Sequence, residues 1–366
     1  MSLPYLRLTG TPYQQGVQHG KALYGQIEHN LAIYLNYIKQ AGLLQAKVVE
    51  LAEQYKRIIA TQNPSYYQNM QGIAAGSAIP MTNIIILNIR YELIYYIFAL
   101  DMMNKTKQVP IRGSDGCTAF AVRKSAPNNH LLIGQTWDWL AGIEGALLHT
   151  EEQDGLQTLA FSEAGIVGAK IGFNSARLGL AINGLNTTSD SLTSVTKPFH
   201  VRCYEILRQS TIDAAKEIVI QSNRTGSANF LMAQPPDHLV NIETSSTKAN
   251  LHGWQDGLFV HTNNFLAPEK LGIEEPDPEY IETSQTRCTR LDRLLRTKSP
   301  TDIDTIQDYL RDHTNQPESI CAHKNPKWPS YMRTCTLVSV VMDLHQREMY
   351  LADGQPCKST YQRYQL

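Results

Sequence analysis

Up to about residue 105 the apolar residues recur at helical spacing, and from about residue 117 they fall into short runs between turn residues. That switch of period limits the fold more than any other feature of the sequence. Leu23, Ile27, Leu31, Leu35 and Ile38 mark one helix, and Val48, Leu51, Ala52, Tyr55, Ile58 and Ile59 a second. Tyr66, Tyr67, Met70, Ile73 and Ala74 mark a third after Pro64, and Ile84–Leu100 reads as a fourth, buried one. Strands are expected at 118–123, 130–136, 156–161, 166–173 and 178–183, then at 228–233, 238–243, 258–262, 335–343 and 347–352. APNNH, between the first two, is turn chemistry that suits a hairpin. Helical patterns return at 200–222 and 284–312. Strands in series predict an α+β fold of packed layers rather than alternating βαβ units. The polar, glycine-bearing stretch 101–116 is the expected linker or exposed loop. It divides the chain into a helical segment, 1–116, and a strand-rich segment, 117–366, of one globular unit.

Charge narrows the function. Lys and Arg number 33 against 34 Asp and Glu, so there is no basic excess for nucleic acid or an anionic membrane surface, and neither partner is expected. Ile84–Leu100 contains Asn88, Arg90 and Glu92, which argues against a membrane span. MSLPYLRLTGTPY has no basic region followed by an apolar one, so a cytoplasmic location is expected. Six cysteines without a CxxC pair fit a reduced protein. Phosphate-loop, HExxH, dinucleotide GxGxxG and GxSxG patterns are all absent. The eleven histidines include no pair at metal-ligand spacing, and neither a metal nor an organic cofactor is expected. His130 and His149 read as surface or satisfied polar residues.

The informative segment is GSDGCTAFAV, 113–122, where a Gly-Cys step meets the first strand. Cys117 has two readings. It is a half-buried strand cysteine, as free cysteines commonly are, or it is an N-terminal nucleophile. In the second reading the thiol attacks the carbonyl of Gly116, an N-to-S acyl shift follows, and hydrolysis frees Cys117 as a new N-terminus. Gly116 tolerates the backbone strain this needs. The freed α-amino group, with an ordinary pKa of about 7.7–8.0, is a usable base for its own thiol.

DGCTAF (115–120), followed by GQTWDW (134–139), resembles the DGCTT-like cleavage site and GQNWD segment of the acyl-coenzyme A:isopenicillin N acyltransferase family, which are Cys N-terminal-nucleophile hydrolases. GTPYQQGVQHG (10–20) is similar to that family's GTP…G…HG segment. QGIAAGSA…IIILNIRYE (71–92) is similar to its GIAxGA…LNxRxE stretch. EAGIVGAKIGFNSARLGLAIN (163–183) resembles its EAGIIG-KVGFNSAGVAVN stretch, and HTNN (261–264) its HTNH. Five such motifs in order make the resemblance specific.

The resemblance implies a four-layer αββα sandwich in which segment 1–116 is cut off but stays associated. It implies cleavage between Gly116 and Cys117, with Cys117 as nucleophile. Asp138 matches the family Asp that orients the freed α-amino group, and Asn263 the Asn that supplies an oxyanion donor. Arg333, in MRTCTL where the family writes SRGATL, matches an Arg near the thiol. Glu243 and Ser245, in ETS, match an EFS segment. Departures weaken the likeness to the penicillin substrate. Met332 stands where the family has Ser, Ala119 where it has Thr, and Asn264 where it has His, while the C-terminal RYQL lacks a peroxisomal tripeptide. The expected activity is hydrolysis of a small-molecule linear amide through a thioester, without a cofactor. Alternatives are transfer from an acyl-coenzyme A donor, or a non-catalytic or uncleaved chain that only binds a ligand.

Overall fold

The computed structural model describes residues 3–104, 116–125, 128–187, 190, 195–221, 223–275, 278–297 and 301–366. Residues 105–115 of the expected linker, and part of the APNNH turn, lie outside the described residues.

The chain opens with strand β1 (Tyr5–Leu8), followed by helices α1 (Pro12–Ala22), α2 (Tyr24–Gln40), α3 (Gln45–Gln62), α4 (Pro64–Ser77), α5 (Met81–Asn88) and α6 (Arg90–Asn104). Four helices were expected here. The first expected helix is α2, with the unexpected α1 ahead of it, and the buried run breaks at Ile89 into α5 and α6. Asn88 accounts for the second break. Its Nδ2 donates to the carbonyls of Ile84 at 2.7 Å and Gly165 at 2.9 Å, while its Oδ1 accepts from Tyr66 and Val167. Such a side chain offers the backbone an alternative to the helical ladder. Helices α1 and α4 touch backbone to backbone. A Cβ at Gly16 or Gly72 would lie 2.1 Å from a carbonyl of the other helix, so those glycines set the packing distance.

The strand-rich part runs β2 (Thr118–Ser125), β3 (His130–Leu140), β4 (Gly145–Glu151), β5 (Gln157–Glu163), β6 (Ile171–Asn174), β7 (Gly179–Gly184), α7 (Phe199–Ile206), α8 (Ile212–Ile220), β8 (Ala228–Gln234), β9 (His238–Thr244), β10 (Ala249–His252) and β11 (Leu258–His261). It continues through α9 (Pro268–Leu271), α10 (Pro278–Thr297), α11 (Ile303–Tyr309), a short 3₁₀ turn (Ser330–Met332), β12 (Thr334–Asp343), β13 (Glu348–Asp353) and β14 (Gln362–Gln365). The expected strand at 166–173 shrinks to β6, because Gly165 and Gly168 take positive φ and turn the chain before it. The long helical patterns each split, with Thr211 and Asp302 capping the second helix of each pair.

Two sheets result. One has eight strands in the order β1-β4-β5-β6-β7-β8-β9-β10, and the other six in the order β11-β2-β3-β12-β13-β14. Among the described strand pairs only β1–β4 is parallel. Alternate residues of the six-stranded sheet serve two cores. Phe120, Val122, Leu132 and Val341 meet Leu291, Leu295, Ile306 and Leu310 of the α10–α11 layer. Ala119, Ala121, Leu131, Ile133, Val338, Val340 and Met342 belong instead to the main core, with Leu180, Ile182 and Phe230 of the other sheet. Helices α7 and α8 bury Cys203, Ile206, Ala215 and Val219 in that same core and cover the eight-stranded sheet. The layer order is therefore α10–α11, six-stranded sheet, eight-stranded sheet, α7–α8, an αββα sandwich of α+β class. Each fully buried Leu, Ile, Val or Phe adds about 1.5–3 kcal/mol to such cores.

The N-terminal helices dock on this sandwich through buried polar bonds. Asn30 Nδ2 donates to the carbonyls of Glu144 at 2.8 Å and Ala164 at 3.2 Å, and Tyr55 donates to Thr225 at 3.0 Å. No helix among the described residues is long and apolar enough to cross a membrane.

Candidate active site

Three neighbouring strands of the six-stranded sheet converge on the Gly116–Cys117 peptide. Cys117 immediately precedes β2 and is fully buried. β3 pairs with β2 and carries Asp138 toward its end, while β11, on the other side of β2, leads directly into Asn263. β12 completes the set, with Thr336 opposite Asp138 in register. Sequence positions 117, 138 and 263 thus meet because adjacent strands of one sheet start or end there.

The Asp138 carboxylate lies against Gly116. Thr336 Oγ1 donates to Asp138 Oδ1 at 2.6 Å, and a Cβ built on Gly116 would come 2.8 Å from Asp138 Oδ2 and 3.2 Å from its Cβ. Only glycine fits there without displacing the carboxylate. Gly116→Ala is expected to slow any cleavage at this peptide by ~10-fold or more, since small misplacements at a reacting centre are costly. Denaturing gels of freshly purified variant and wild type would read this directly, and equal extents of cleavage would refute it.

The residue that reaches the peptide most directly is Arg287, on α10, which sequence reasoning missed. Its buried guanidinium donates through Nη1 to the carbonyls of Gly116 and Cys117, the latter at 2.7 Å, and to Thr118 Oγ1 at 3.2 Å. Nη2 donates to Asn263 Oδ1 at 3.1 Å. A signal was available. On α10, residues 284, 287, 288, 291 and 295 form one helical stripe whose other members are buried or half-buried, so Arg287 is a cation on an inward face.

Asn263 Nδ2 donates to the Gly184 carbonyl at 3.1 Å, and its backbone N–H donates to Ser284 Oγ at 2.7 Å. An amide nitrogen carries two protons, which leaves the second for an acyl oxygen. Asn183 Nδ2 donates to the Cys117 carbonyl at 3.3 Å.

Glu243 does not touch Cys117 but anchors the polar layer behind it. It is bonded to His261 Nε2 at 3.0 Å and His252 Nε2 at 2.9 Å, and accepts from the Leu266 N–H at 2.6 Å. Burial alone would raise its carboxyl, but the hydrogen bonds from His252 and His261 outweigh it and bring it to about 2. His261 Nδ1 in turn meets Asn183 Oδ1 at 3.1 Å, which links Glu243 to the Cys117 carbonyl. Ser245 lies elsewhere, its Oγ accepting from the Lys248 N–H at 3.2 Å to close the β9–β10 turn. Arg333 donates to the carbonyls of Trp328 at 2.9 Å and Pro326 at 3.3 Å, holding the loop before the 3₁₀ turn. At the Gly116 and Cys117 carbonyls the guanidinium is that of Arg287.

A second buried cation approaches the site from the other sheet. Lys170 Nζ stands 3.4 Å from the centroid of the Trp137 ring and donates to Glu163. Burial pulls its ammonium well below the ordinary lysine value against the attraction of Glu163. Arg90 and Lys170 hold Glu163 ionised despite its own burial.

A cavity of about 300 Å³ opens beside the peptide. Gly116, Asp138, Tyr280, Arg287, Glu318 and Trp328 are among the residues that line it. Gly116 is among the lining residues and Cys117 is not. Among the described residues one set of side chains has the chemistry to hold a metal, His313, Cys321, His323 and Cys357, and it borders this cavity through His323.

Comparison with known proteins adds three findings. The family model for acyl-coenzyme A:6-aminopenicillanic acid acyl-transferase matches residues 125–358, a span that holds Asp138, Asn263, Arg287 and Arg333 and begins after Cys117. The 40 kDa form of acyl-coenzyme A:6-aminopenicillanic-acid-acyltransferase from Emericella nidulans is 28% identical over 352 residues, covering 95% of this chain and 91% of its own. Among solved structures, a mutant of the conjugated bile acid hydrolase from Clostridium perfringens covers 68% of this chain and 97% of its own, at 11% identity and a TM-score of 0.42. Penicillin V acylase from Agrobacterium tumefaciens covers 66% of this chain and 76% of its own, at 12% identity and a TM-score of 0.37.

Proposed function

The chain belongs to the acyl-coenzyme A:6-aminopenicillanic acid acyl-transferase family, and on that premise we propose that it is a self-processing enzyme that cleaves linear amide C–N bonds through a thioester on Cys117. The observation that carries this reading is the setting of the Gly116–Cys117 peptide. Its carbonyl accepts from a buried guanidinium and its glycine rests on a fixed carboxylate.

Maturation follows from that setting. The Cys117 sulfur attacks the Gly116 carbonyl carbon, and the oxygen, as it gains charge, keeps its bond to Arg287. The C–N bond breaks and the thiol proton ends on the Cys117 nitrogen. Water then hydrolyses the thioester, leaving the Gly116 carboxylate and a Cys117 with free amine and thiol. Segment 1–116 stays bound through β1, Asn30 and Tyr55, while withdrawal of Gly116 opens the cavity to the sulfur.

In turnover the α-amino group takes the thiol proton, the sulfur attacks the substrate carbonyl, and Asn263 Nδ2 donates to the oxyanion. Asp138 orients the amine. The amine product departs with the proton, and water releases the acid. No step requires a metal or organic cofactor. The cavity is sized for a small N-acyl amide. The thiol nucleophile suits a reducing compartment such as the cytoplasm.

Transfer from acyl-coenzyme A is the second reading, favoured by the name of the 28%-identical relative and by Lys327 on the cavity wall as a partner for an anionic donor. The deciding experiment incubates purified protein with N-acyl amides, then with acyl-coenzyme A thioesters plus an acceptor amine. Hydrolysis predicts amine release and an acyl adduct on the fragment that begins at Cys117. Transfer predicts amide formation only with the thioester. A cleaved protein that forms no adduct with either set would overturn both.

A further inference from the structure

Nothing in the proposed chemistry uses the side chains that gather beyond the cavity wall. His323 Nε2 lies 3.1 Å from His313 Nε2, 3.4 Å from Cys357 Sγ and 3.8 Å from Cys321 Sγ. All four donor atoms lie within 4.8 Å of one another. One imidazole nitrogen has a single proton or a single lone pair, so it satisfies one partner, not three. A common centre explains the convergence. Tetrahedral zinc, with Zn–S of ~2.3 Å and Zn–N of ~2.0–2.1 Å, sets N···N edges near ~3.3 Å and S···N edges near ~3.6 Å. The two S···N edges bracket that value, and the N···N edge of 3.1 Å is slightly shorter than its ideal.

We infer that His313, Cys321, His323 and Cys357 form a structural Zn²⁺ site that braces the wall of the cavity and the mount of Asp138. Two thiolates neutralise the ion, and binding releases the two thiol protons to solvent. The ligand set, two imidazoles and two thiolates in tetrahedral array, is zinc chemistry.

The surrounding chain holds the ligands in place before any ion arrives. The Cys321 N–H donates to the Asp312 carbonyl at 3.1 Å and the His323 N–H to the Pro317 carbonyl at 3.0 Å. Gln355 Nε2 donates to the Ala322 carbonyl at 3.4 Å, which ties the loop after α11 to the turn bearing Cys357. The chain from Leu310 to the 3₁₀ turn has no regular structure, a length that is uncommon in a compact domain and usually marks a functional loop. His313 is exposed and Cys321 buried, so the ion has an entry side and an anchored side.

The site also connects to the cleavage peptide. Between two of its ligands, the Ala322 N–H donates to Thr336 Oγ1 at 2.9 Å, and Thr336 Oγ1 donates to Asp138 Oδ1 at 2.6 Å.

Elemental analysis of full-length protein purified without chelator tests this without knowledge of any substrate. About one zinc per chain is expected. Cys357→Ser or His313→Ala should reduce it at least tenfold, while Cys288→Ser retains it. Should those variants misfold, Co²⁺ added to chelator-treated wild type gives a second reading, the thiolate-to-cobalt charge-transfer band with tetrahedral d–d bands. Wild type that holds no zinc and gives no such bands, or peptide mapping that finds a Cys321–Cys357 disulfide, would overturn the site.

Discussion

Replacing Cys117 by alanine is expected to leave a single uncut chain of 41.1 kDa and to lower amide turnover by at least ~10⁴-fold. In the proposed chemistry the same sulfur performs both reactions, so one substitution should abolish both. Folding should survive. The change removes one atom from a buried position at the head of β2, which costs about 1 kcal/mol on the scale of ordinary core substitutions. Thermal denaturation therefore separates the chemistry from the fold. Cleavage of Cys117→Ala at residue 116, or turnover near the wild-type rate with an intact melting curve, would remove Cys117 from the mechanism.

Arg287→Met is expected to slow maturation by at least ~10²-fold, the usual cost of losing a donor aimed at a developing oxyanion. The methionine fills a similar space but donates nothing to the Gly116 carbonyl or to Asn263 Oδ1. Each buried acceptor left unpaired costs about 1–3 kcal/mol, so the variant should also melt earlier. The Cys117 carbonyl keeps its bond from Asn183. Arg287→Lys is the control, since an ammonium restores charge without the fork that reaches four acceptors at once. Partial recovery of cleavage in Arg287→Lys supports an electrostatic role. A variant that folds less well but cleaves at the wild-type rate per folded molecule would reduce Arg287 to a structural residue.

How much of this was legible in the sequence differs from residue to residue. The helical first segment and the strand series were, because amphipathic periods survive in any layered fold. β1, β4, β10 and β14 were not: β1, β10 and β14 are four-residue edge strands, and β4 pairs on one side with β1, far away in sequence. The break at Ile89 was missed because an Asn inside an apolar run looks tolerated until its side chain is seen to cap backbone groups of another segment. Cys117, Asp138 and Asn263 stood out because local motifs surround them, and strand order then brings them together. Arg287 carries no motif. It lies among Arg290, Arg293 and Arg296 on one helix, and the signal that separates it from them is its place on the inward stripe with Leu291 and Leu295, the face that α10 docks toward β11. Arg333 carried a motif, yet its guanidinium serves two loop carbonyls. The His313, Cys321, His323 and Cys357 cluster has no recognisable spacing because its members come from a loop and a turn joined only in three dimensions.

The central claim is that Cys117 becomes an N-terminus. Its most direct test is the intact mass of freshly purified protein under denaturing conditions, with N-terminal sequencing of each species. The account predicts two fragments of about 13 kDa and about 28 kDa, from 41.1 kDa shared over 366 residues, the larger beginning Cys-Thr-Ala-Phe. A single 41.1 kDa chain that nonetheless hydrolyses amides at full rate would contradict it.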